Sequence, residues 1–301
     1  MQEPITDIVI VNWNAGAYLD RCVRSVLDTT QLSQVGKIIV IDNASSDDSL
    51  AKLPVSDKIC LIVNAENRGF SVACNQGFKK STAPYVLLLN PDAAVFPDTL
   101  AKCLAYMTEH TDTDILGCRL VNEKGKTTIS CARFPTPWRY LTGATGLSKM
   151  MPKLFHPTTL MTDWNHDESC EVDQVMGAFM LIRKETLQKT GYFDERFFVY
   201  YEELDFSKRV KEIGGVVYFN AQITALHSGG GTTRSVKAFR LYLSLNSRLL
   251  YAQKHFSAAG YAITWVATFL IEPFSRLIQC VLKGNFSGIG NIAAGYWRLI
   301  K

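Results

Sequence analysis

Residues 85–95 read YVLLLNPDAAV, and this stretch decides the fold class. An unbroken apolar run is typical of a strand buried on both faces, as in parallel sheets covered by helices. The strand is predicted to stop at Pro91, because proline cannot donate a hydrogen bond to a neighbouring strand. We expect the chain to turn outward there, so that Asn90 and Asp92 face one cleft. Their oxygen atoms suit a divalent cation.

Further strands and helices alternate around this stretch. Short apolar runs at 5–13, 37–42 and 58–63 predict strands, and the apolar spacing within 17–28 and 70–81 predicts helices. Buried strands separated by helices indicate a parallel sheet with helices on its faces. We therefore predict an α/β fold with a mostly parallel sheet.

The composition is that of a globular protein with a basic C-terminal region. The 301 residues are 47% apolar and 20% charged. The net charge of +4 is uneven, because residues 228–301 carry nine Lys or Arg and one acid. This asymmetry suggests contact with an anionic surface, with a solvated basic helix pair as the alternative.

Eight scattered cysteines without a CxxC pair indicate reduced core thiols in a cytosolic protein. Residues 1–11 are expected to begin a strand rather than a signal peptide.

Polar clusters follow four successive predicted strands, at 12–14, 42–47, 64–70 and 90–92. Ligands of parallel α/β sheets bind outside the carboxyl ends of the strands, where amides and carboxylates could read a base and a ribose. Turn formation is the alternative for any one cluster. The first strand is not followed by G-x-G-x-x-G, and the GKT at 125–127 lacks the first glycine of a P-loop. Neither a dinucleotide site nor a P-loop is predicted.

These clusters, with GAF at 177–179, FFVYYEELD at 197–205 and HSGGG at 227–231, resemble family-2 glycosyltransferases of the GT-A fold. Within that family the chain is most similar to the bacterial rhamnosyltransferase-like branch of O-antigen and cell-wall polysaccharide synthesis. The resemblance spans about residues 5–255. It implies an inverting, metal-dependent transferase that uses a nucleotide-diphosphate sugar. The leading donor is dTDP-L-rhamnose, and the alternative is a UDP-sugar such as UDP-galactose or UDP-GlcNAc.

The resemblance also implies residue roles at the donor. The residues expected to contact its nucleotide or phosphates are Asn12, Asn14, Asp42, Asn67, Arg68, Asn75, Asn90, Thr232, Thr233 and Arg234. Asp92 and His227 are expected to hold the cation, Mg²⁺ or Mn²⁺. The sequence departs from the family's D-x-D motif, because Asn90 replaces the first Asp and a neutral amide binds a cation less strongly. A turn cap for Asp92 and a structural role for His227 are the alternatives.

The segment at 197–205 resembles the family's catalytic E-D motif, with Glu203 at the usual Asp position. Inverting transfer needs one carboxylate to take the proton of the acceptor hydroxyl. The resemblance assigns this base to Glu203 and a supporting role to Glu202, while Asp205 is expected to be structural. Gly177 and the following alanine are expected to let the acceptor sugar approach the backbone. Two other classes stay open: a sugar-nucleotide-binding protein without catalysis, and a glycoside hydrolase.

The predicted GT-A catalytic domain covers 1–235, with a nucleotide half of about 1–120 and an acceptor half of about 121–235. Residues 236–301 form the predicted basic amphipathic helical tail. The uncharged run at 258–271 is shorter than the ~20 residues of a spanning helix and is followed by Glu272-Pro273, so we expect a helix in the membrane interface. A buried helix at a dimer or domain contact is the alternative, and a homodimer stays open.

The expected location is the inner face of the bacterial cytoplasmic membrane, with a polyprenyl-diphosphate-linked glycan as acceptor and no nucleic acid partner. Deleting 257–301 should release the protein from liposomes and preserve the nucleotide site.

Overall fold

The computed structural model describes residues 5–155, 159–229 and 237–301. Strands and helices alternate through the first half, as the apolar runs predict. The strands are β1 (Thr6–Asn12), β2 (Val35–Asp42), β3 (Ile59–Val63), β4 (Tyr85–Leu89), β5 (Ala93–Val95), β6 (Thr113–Val121), β7 (Cys131–Ala132), β8 (Cys170–Glu171), β9 (Gln174–Val175), β10 (Phe179–Arg183) and β11 (Val216–His227).

The helices cover the faces of the sheet and form the whole C-terminal region. They are α1 (Ala17–Leu27), α2 (Phe70–Lys80), α3 (Thr99–Glu109), α4 (Pro137–Thr145), α5 (Leu147–Met150), α6 (Lys184–Thr190), α7 (Glu202–Glu212), α8 (Lys237–His255), α9 (Ala258–Val266), α10 (Glu272–Leu282) and α11 (Phe286–Ile300). Helix α4 falls in a proline-rich stretch without apolar periodicity. Its first residue is a proline, and Thr136 caps it by accepting a hydrogen bond from the backbone N–H of Arg139.

The main sheet is mixed, with four parallel strands at one side and a further parallel pair, β6 and β11, towards the other. Its order is β3-β2-β1-β4-β10-β6-β11-β5, and β8 pairs with β11. Strands β1 to β4 are parallel, whereas β10 runs antiparallel to β4 and β6, and β5 runs antiparallel to β11. This is the curled α/β sheet of the GT-A fold, so the predicted fold class is confirmed.

Pro91 ends β4 as predicted. The next strand, β5, pairs with β11 instead of with β4's neighbours, so the chain crosses the sheet at Asn90-Pro91-Asp92. Because β11 ends at His227, which is the register partner of Ala93, this crossing brings Asp92 beside His227. The turn around one proline therefore creates a local polar site.

Two apolar cores lie on the two faces of the sheet. In β1, Ile8 and Ile10 pack on one face, while Val9 and Val11 pack on the other. All eight cysteines are free, and five of them are buried, which confirms the predicted core thiols. Burial raises the pKa of the Cys22 thiol far above its ordinary value, as expected for a thiol without chemical function.

Helix α8 packs against α7 and the segment before it, although α8 begins near the predicted start of the tail. Its Ser247 hydroxyl donates to the Val199 carbonyl at 2.8 Å, and Lys254 lies 2.6 Å from the Asp205 carboxylate. Asp205 also faces His255 at 2.7 Å. Helix α8 is thus held to α7 and to the segment before it, while the predicted domain boundary at residue 236 stays a prediction.

The helix that follows is longer than the sequence predicts. Residues Ala258–Leu282 form one continuous helix that could cross a membrane by length and composition. Pro273 does not interrupt it, because a π-helical turn at Ala267–Ile271 leads into α10 and puts the proline in the first turn of that segment. Glu272 lies on its inner face and pairs with Arg248 and Arg276.

Candidate active site

A cavity of about 340 Å³ lies at the carboxyl ends of β1 and β4. Its wall also includes the start of β10, the N-terminus of α7, the end of β11 and the first turns of α8. Asn90 and Asp92 line one part of it, and Glu202 and Glu203 line another. The two polar groups that the sequence predicts as metal site and catalytic base therefore face the same space.

Asp92 and His227 lie side by side on one wall of the cavity. The Asp92 carboxylate lies 3.3 Å from Nε2 of His227, and both side chains are largely buried. The Ser228 N–H donates to the Asp92 carbonyl at 3.0 Å, which joins the end of β11 to this turn. The donor set is one carboxylate and one imidazole, with the Asn90 amide on the same cavity wall. These groups fit a divalent cation that takes its remaining ligands from a diphosphate and water. Within the described ranges, no cluster of three or more His, Cys, Asp or Glu forms a complete metal site.

Glu202 and Glu203 begin α7 after two tyrosines with left-handed backbone. Tyr200 and Tyr201 have φ of 70° and 72°, a conformation that non-glycine residues adopt at a cost. This turn directs both carboxyl groups of the helix start into the cavity. Burial raises the pKa of both, and the neighbouring Glu203 raises that of Glu202 further. Oε2 of Glu202 has no hydrogen-bond partner among the described residues. Such a pair holds a proton at neutral pH more readily than exposed glutamates do.

Gly177 and Ala178 connect Glu203 to the turn at Asn90-Pro91-Asp92. The Gly177 N–H donates to Oε1 of Glu203 at 3.2 Å, and the Ala178 carbonyl accepts from the Asn90 N–H at 3.1 Å. A Cβ on Gly177 would lie 2.5 Å from the same Oε1. The glycine therefore makes room for the carboxylate of Glu203, whereas the sequence predicted that it makes room for the acceptor sugar.

Asn12, Asn14 and Asp42 form a network behind the cavity wall. Asn12 and Asp42 are register partners at the ends of β1 and β2, and the Asn12 amide donates to Asp42 at 2.7 Å. The Asp42 carboxylate also accepts from the Ser45 N–H, and Asn14 accepts from the Ser46 N–H. Asn12 and Asp42 are buried and hold the loop after β2, and their predicted contact with a nucleotide stays a prediction.

The next strand end brings Asn67 to the cavity and leaves Arg68 exposed beside it. Asn43 was not among the predicted site residues, yet it organises this loop. Its amide donates to Asn67 at 2.8 Å and to the Gly69 carbonyl at 3.1 Å, and its oxygen accepts from the Arg68 N–H. Asn43 belongs to the DNASSD cluster, so its position was a signal that the sequence contained.

Asn75 is predicted at the nucleotide but lies elsewhere. Its amide donates to the Phe193 carbonyl at 2.9 Å and to Glu195 at 3.0 Å, and it accepts from the Phe193 N–H. This buried amide thus joins α2 to the loop before α7 and is not available to a ligand. Thr232, Thr233 and Arg234 lie outside the described residues.

Asp205 lies on the side of α7 away from the cavity and is completely buried, as its structural role requires. Burial would raise the pKa of its carboxyl, but hydrogen bonds from His255 and Lys254 and the charge of Arg209 hold it below its ordinary value. Asp205 therefore joins α7 to α8 through ion pairs. From α8 itself, Phe239, Arg240 and Leu243 reach the cavity wall, and the sequence reasoning missed all three.

The fold and the acidic cavity are those of a GT-A glycosyltransferase, and comparison with known proteins agrees. Residues 7–188 match the family model "Glycosyl transferase family 2". The chain belongs to glycosyltransferase family 2 and is a glycosyltransferase.

Two relatives are similar at low identity over most of their length. A low-salt glycan biosynthesis hexosyltransferase, Agl10, of Haloferax volcanii is 27% identical over 300 residues, covering 94% of this chain and 91% of the relative. An N-acetylglucosaminyl-diphospho-decaprenol L-rhamnosyltransferase of Mycobacterium tuberculosis is 21% identical, covering 83% of this chain and 85% of the relative. Among solved structures, the mannosyltransferase PcManGT of Pyrobaculum calidifontis with GDP-Man and Mn²⁺ has a TM-score of 0.56 at 12% identity, covering 100% of this chain and 82% of that one.

Proposed function

We propose that this glycosyltransferase is an inverting, metal-dependent enzyme. It transfers a sugar, with L-rhamnose from dTDP-L-rhamnose as the leading candidate, to a glycan on a polyprenyl diphosphate. The observation that carries this proposal is that Asp92 and Glu203 line one cavity, joined through the Gly177-Ala178 backbone. A cation site and a base on one cavity are what displacement of a diphosphate by a hydroxyl requires.

Asp92 and His227, assisted by the Asn90 amide, would hold the divalent cation. When bound, the cation supplies positive charge against the diphosphate that leaves. The structural neighbour solved with GDP-Man and Mn²⁺ supports this choice. Arg240 adds a further positive charge to the same cavity and donates to the Tyr200 hydroxyl at 3.2 Å.

Glu203 acts as the base. The acceptor hydroxyl oxygen forms a bond to the anomeric carbon, the bond from that carbon to the diphosphate breaks, and the hydroxyl proton moves to Glu203. Burial raises the pKa of Glu203 and makes its carboxylate a better proton acceptor than an exposed one. The Gly177 N–H holds Oε1 in position for this step.

The donor nucleotide would occupy the strand ends beside Asn43 and Asn67, with Arg68 at the opening. Thr232, Thr233 and Arg234 are proposed at its phosphates from the family resemblance. Rhamnose is the leading sugar because two relatives bear the name rhamnosyltransferase, one from Mycobacterium tuberculosis and WbbL of Escherichia coli. A UDP-sugar donor is the alternative.

The lipid-linked acceptor and a location at the inner membrane face rest on two observations. The Mycobacterium tuberculosis relative is named for a decaprenol-linked acceptor. In this chain the outer face of Ala258–Leu282 exposes large apolar side chains at helical spacing, and these are Ile263, Val266, Leu270, Phe274, Ile278 and Val281. A face of this kind suits the boundary between lipid tails and headgroups.

The test measures binding and transfer separately. A panel of dTDP-, UDP- and GDP-sugars is screened for thermal stabilisation with and without Mn²⁺, and transfer is followed on a lipid-diphosphate-linked acceptor. Asp92→Asn should remove the Mn²⁺-dependent stabilisation. Glu203→Gln should abolish transfer and retain the Mn²⁺-dependent stabilisation. Glu212→Gln, at the exposed end of the same helix, serves as the control.

Full transfer by Glu203→Gln would exclude Glu203 as the base. Donor binding without transfer in the unaltered protein would favour a sugar-nucleotide-binding protein. Hydrolysis of glycosides without a nucleotide donor would favour a hydrolase.

A further inference from the structure

A second cavity, of about 290 Å³, lies between α8, α10 and α11. Three cationic side chains line it: Lys237, Arg276 and Lys283. None of its described lining residues is acidic. Arg276 pairs with Glu272, which does not line the cavity, whereas the exposed Lys237 and Lys283 form no ion pair with another described residue. A cavity with this wall favours an anionic ligand.

Neutral hydrogen-bonding groups complete the wall. Gln279, Ser287 and Asn291 line it together with Asn285, whose side chain accepts from the Gly288 N–H at 3.2 Å and caps α11. The 15-residue α11 begins at this wall, so the positive end of its dipole adds to the charges of Lys237 and Lys283. The combination suits phosphate oxygens, which accept several hydrogen bonds at once.

Exposed apolar side chains lie close in sequence to the lining residues of this cavity. Val281, Leu282 and Phe286 are 57%, 81% and 70% exposed, and each lies within a few residues of a lining residue along the chain. They continue the apolar face of Ala258–Leu282. A ligand that joins a phosphate group to a hydrocarbon chain would contact both the basic wall and this apolar surface.

The cavity is separated from the candidate active site by one helix. Lys237 and Leu241 of α8 line the basic cavity, whereas Phe239, Arg240 and Leu243 of the same turns line the catalytic cavity. A helix with its side chains is about 10 Å wide. A diphosphate on one side could therefore carry a short glycan whose accepting hydroxyl reaches Glu203 on the other side.

We propose that the basic cavity binds the diphosphate of the lipid-linked acceptor, with the prenyl chain on the adjoining apolar surface. This inference rests on the proposed function, in which the acceptor is a glycan on a polyprenyl diphosphate. It assigns Lys237, Lys283 and Arg276 to acceptor recognition, separately from the donor residues. Anionic membrane headgroups offer the same phosphate chemistry and are distinguished by the experiment.

The experiment uses farnesyl diphosphate as a probe with the full chain. Lys237→Ala/Lys283→Ala is compared with Lys124→Ala/Lys126→Ala, which removes the same charge from an exposed turn. The first variant should lower the affinity for farnesyl diphosphate about tenfold or more, because two charge-assisted contacts are lost. Farnesol should bind weakly to all variants. The KM for the lipid-linked acceptor should rise, with kcat and donor stabilisation unchanged.

Three results would overturn the proposal. One is equal affinity for farnesyl diphosphate in both double variants. Another is displacement of farnesyl diphosphate by dTDP or UDP, which would put the probe in the catalytic cavity. The last is that Lys237→Ala/Lys283→Ala no longer binds phosphatidylglycerol vesicles but binds farnesyl diphosphate as before, which would make the cavity a site for lipid headgroups. Because probe binding is read without turnover, a failure of the proposed transferase reaction is distinguishable from a failure of this site.

Discussion

Replacing Gly177 with alanine should disable transfer and leave the donor bound. The added Cβ would lie 2.5 Å from Oε1 of Glu203, whereas ordinary van der Waals contact begins at 3.4 Å. Gly177 lies between β9 and β10, where the sheet restrains the backbone, so the carboxylate must move by about an ångström. A misplacement of about 1 Å can cost about 100-fold in rate. We therefore expect kcat to fall about 100-fold, or by about 2.7 kcal/mol in activation free energy.

The assay measures initial transfer rates at saturating donor and acceptor, with donor affinity measured by calorimetry. Gly290→Ala in α11 is the matched control, because nothing lies within 4 Å of the Cβ that it adds. It should leave kcat and donor affinity unchanged. Melting temperatures of both variants verify that a loss of rate does not come from unfolding.

A double variant tests whether the alanine acts through the carboxylate. Glu203→Asp shortens the side chain by one methylene and withdraws the carboxylate from the added Cβ. Adding Gly177→Ala to Glu203→Asp should then cost much less than the alanine costs alone, since effects on contacting residues are not additive. Additive losses, or a Gly177→Ala variant with unchanged kcat, would refute the reasoning.

Three further predictions concern stability, pH and membrane contact. Asp205→Asn should destabilise the protein by about 3 kcal/mol in denaturant unfolding, because it leaves the buried His255 without its acid and removes one of the two acids that pair with Lys254. Asp98→Asn in an exposed pair should have little effect. Burial raises the pKa of Glu203, and a base must be deprotonated to act. As the pH is lowered, kcat/KM should therefore fall at a higher pH than that at which ordinary glutamates become protonated. A profile that is flat down to about pH 5 would contradict this. Phe274→Glu should weaken co-sedimentation with phosphatidylglycerol vesicles, whereas Ile213→Glu, at a similarly exposed position just after α7, should not. Equal binding of both variants would argue against the apolar face as the contact.

The sheet was predictable because its strands are continuous apolar runs that end in polar turns. Pro91 marked the end of β4 for a purely chemical reason, the missing N–H. The pattern also placed Asp92, His227 and Glu203 at element ends, where they meet around one cavity. What brings them together is the pairing of β5 with β11, which no local pattern near Asp92 indicates.

Side-chain partners were less predictable than backbone positions. Asn12 and Asp42 stand at strand ends, but their register pairing makes them partners of each other. Asn75 stands on a helix beside the predicted site, yet it satisfies the backbone of Phe193, more than one hundred residues away in sequence. An asparagine at the end of an element has the same local signature whether it binds a ligand or a distant loop. Only tertiary contacts distinguish the two.

The ion pairs of the C-terminal region change what its deletion should do. Arg248 of α8 is largely buried and pairs with Glu272, which also holds Arg276. Removing residues 257–301 would remove Glu272 and leave the Arg248 guanidinium buried without its acid, a loss that typically costs several kcal/mol. Arg248 lies on α8, and Asp205 joins α8 to α7, the helix that begins with Glu202 and Glu203. The destabilisation would therefore reach the candidate active site. The deletion should therefore lower both membrane binding and donor binding, in contrast to the sequence-based expectation that the nucleotide site survives.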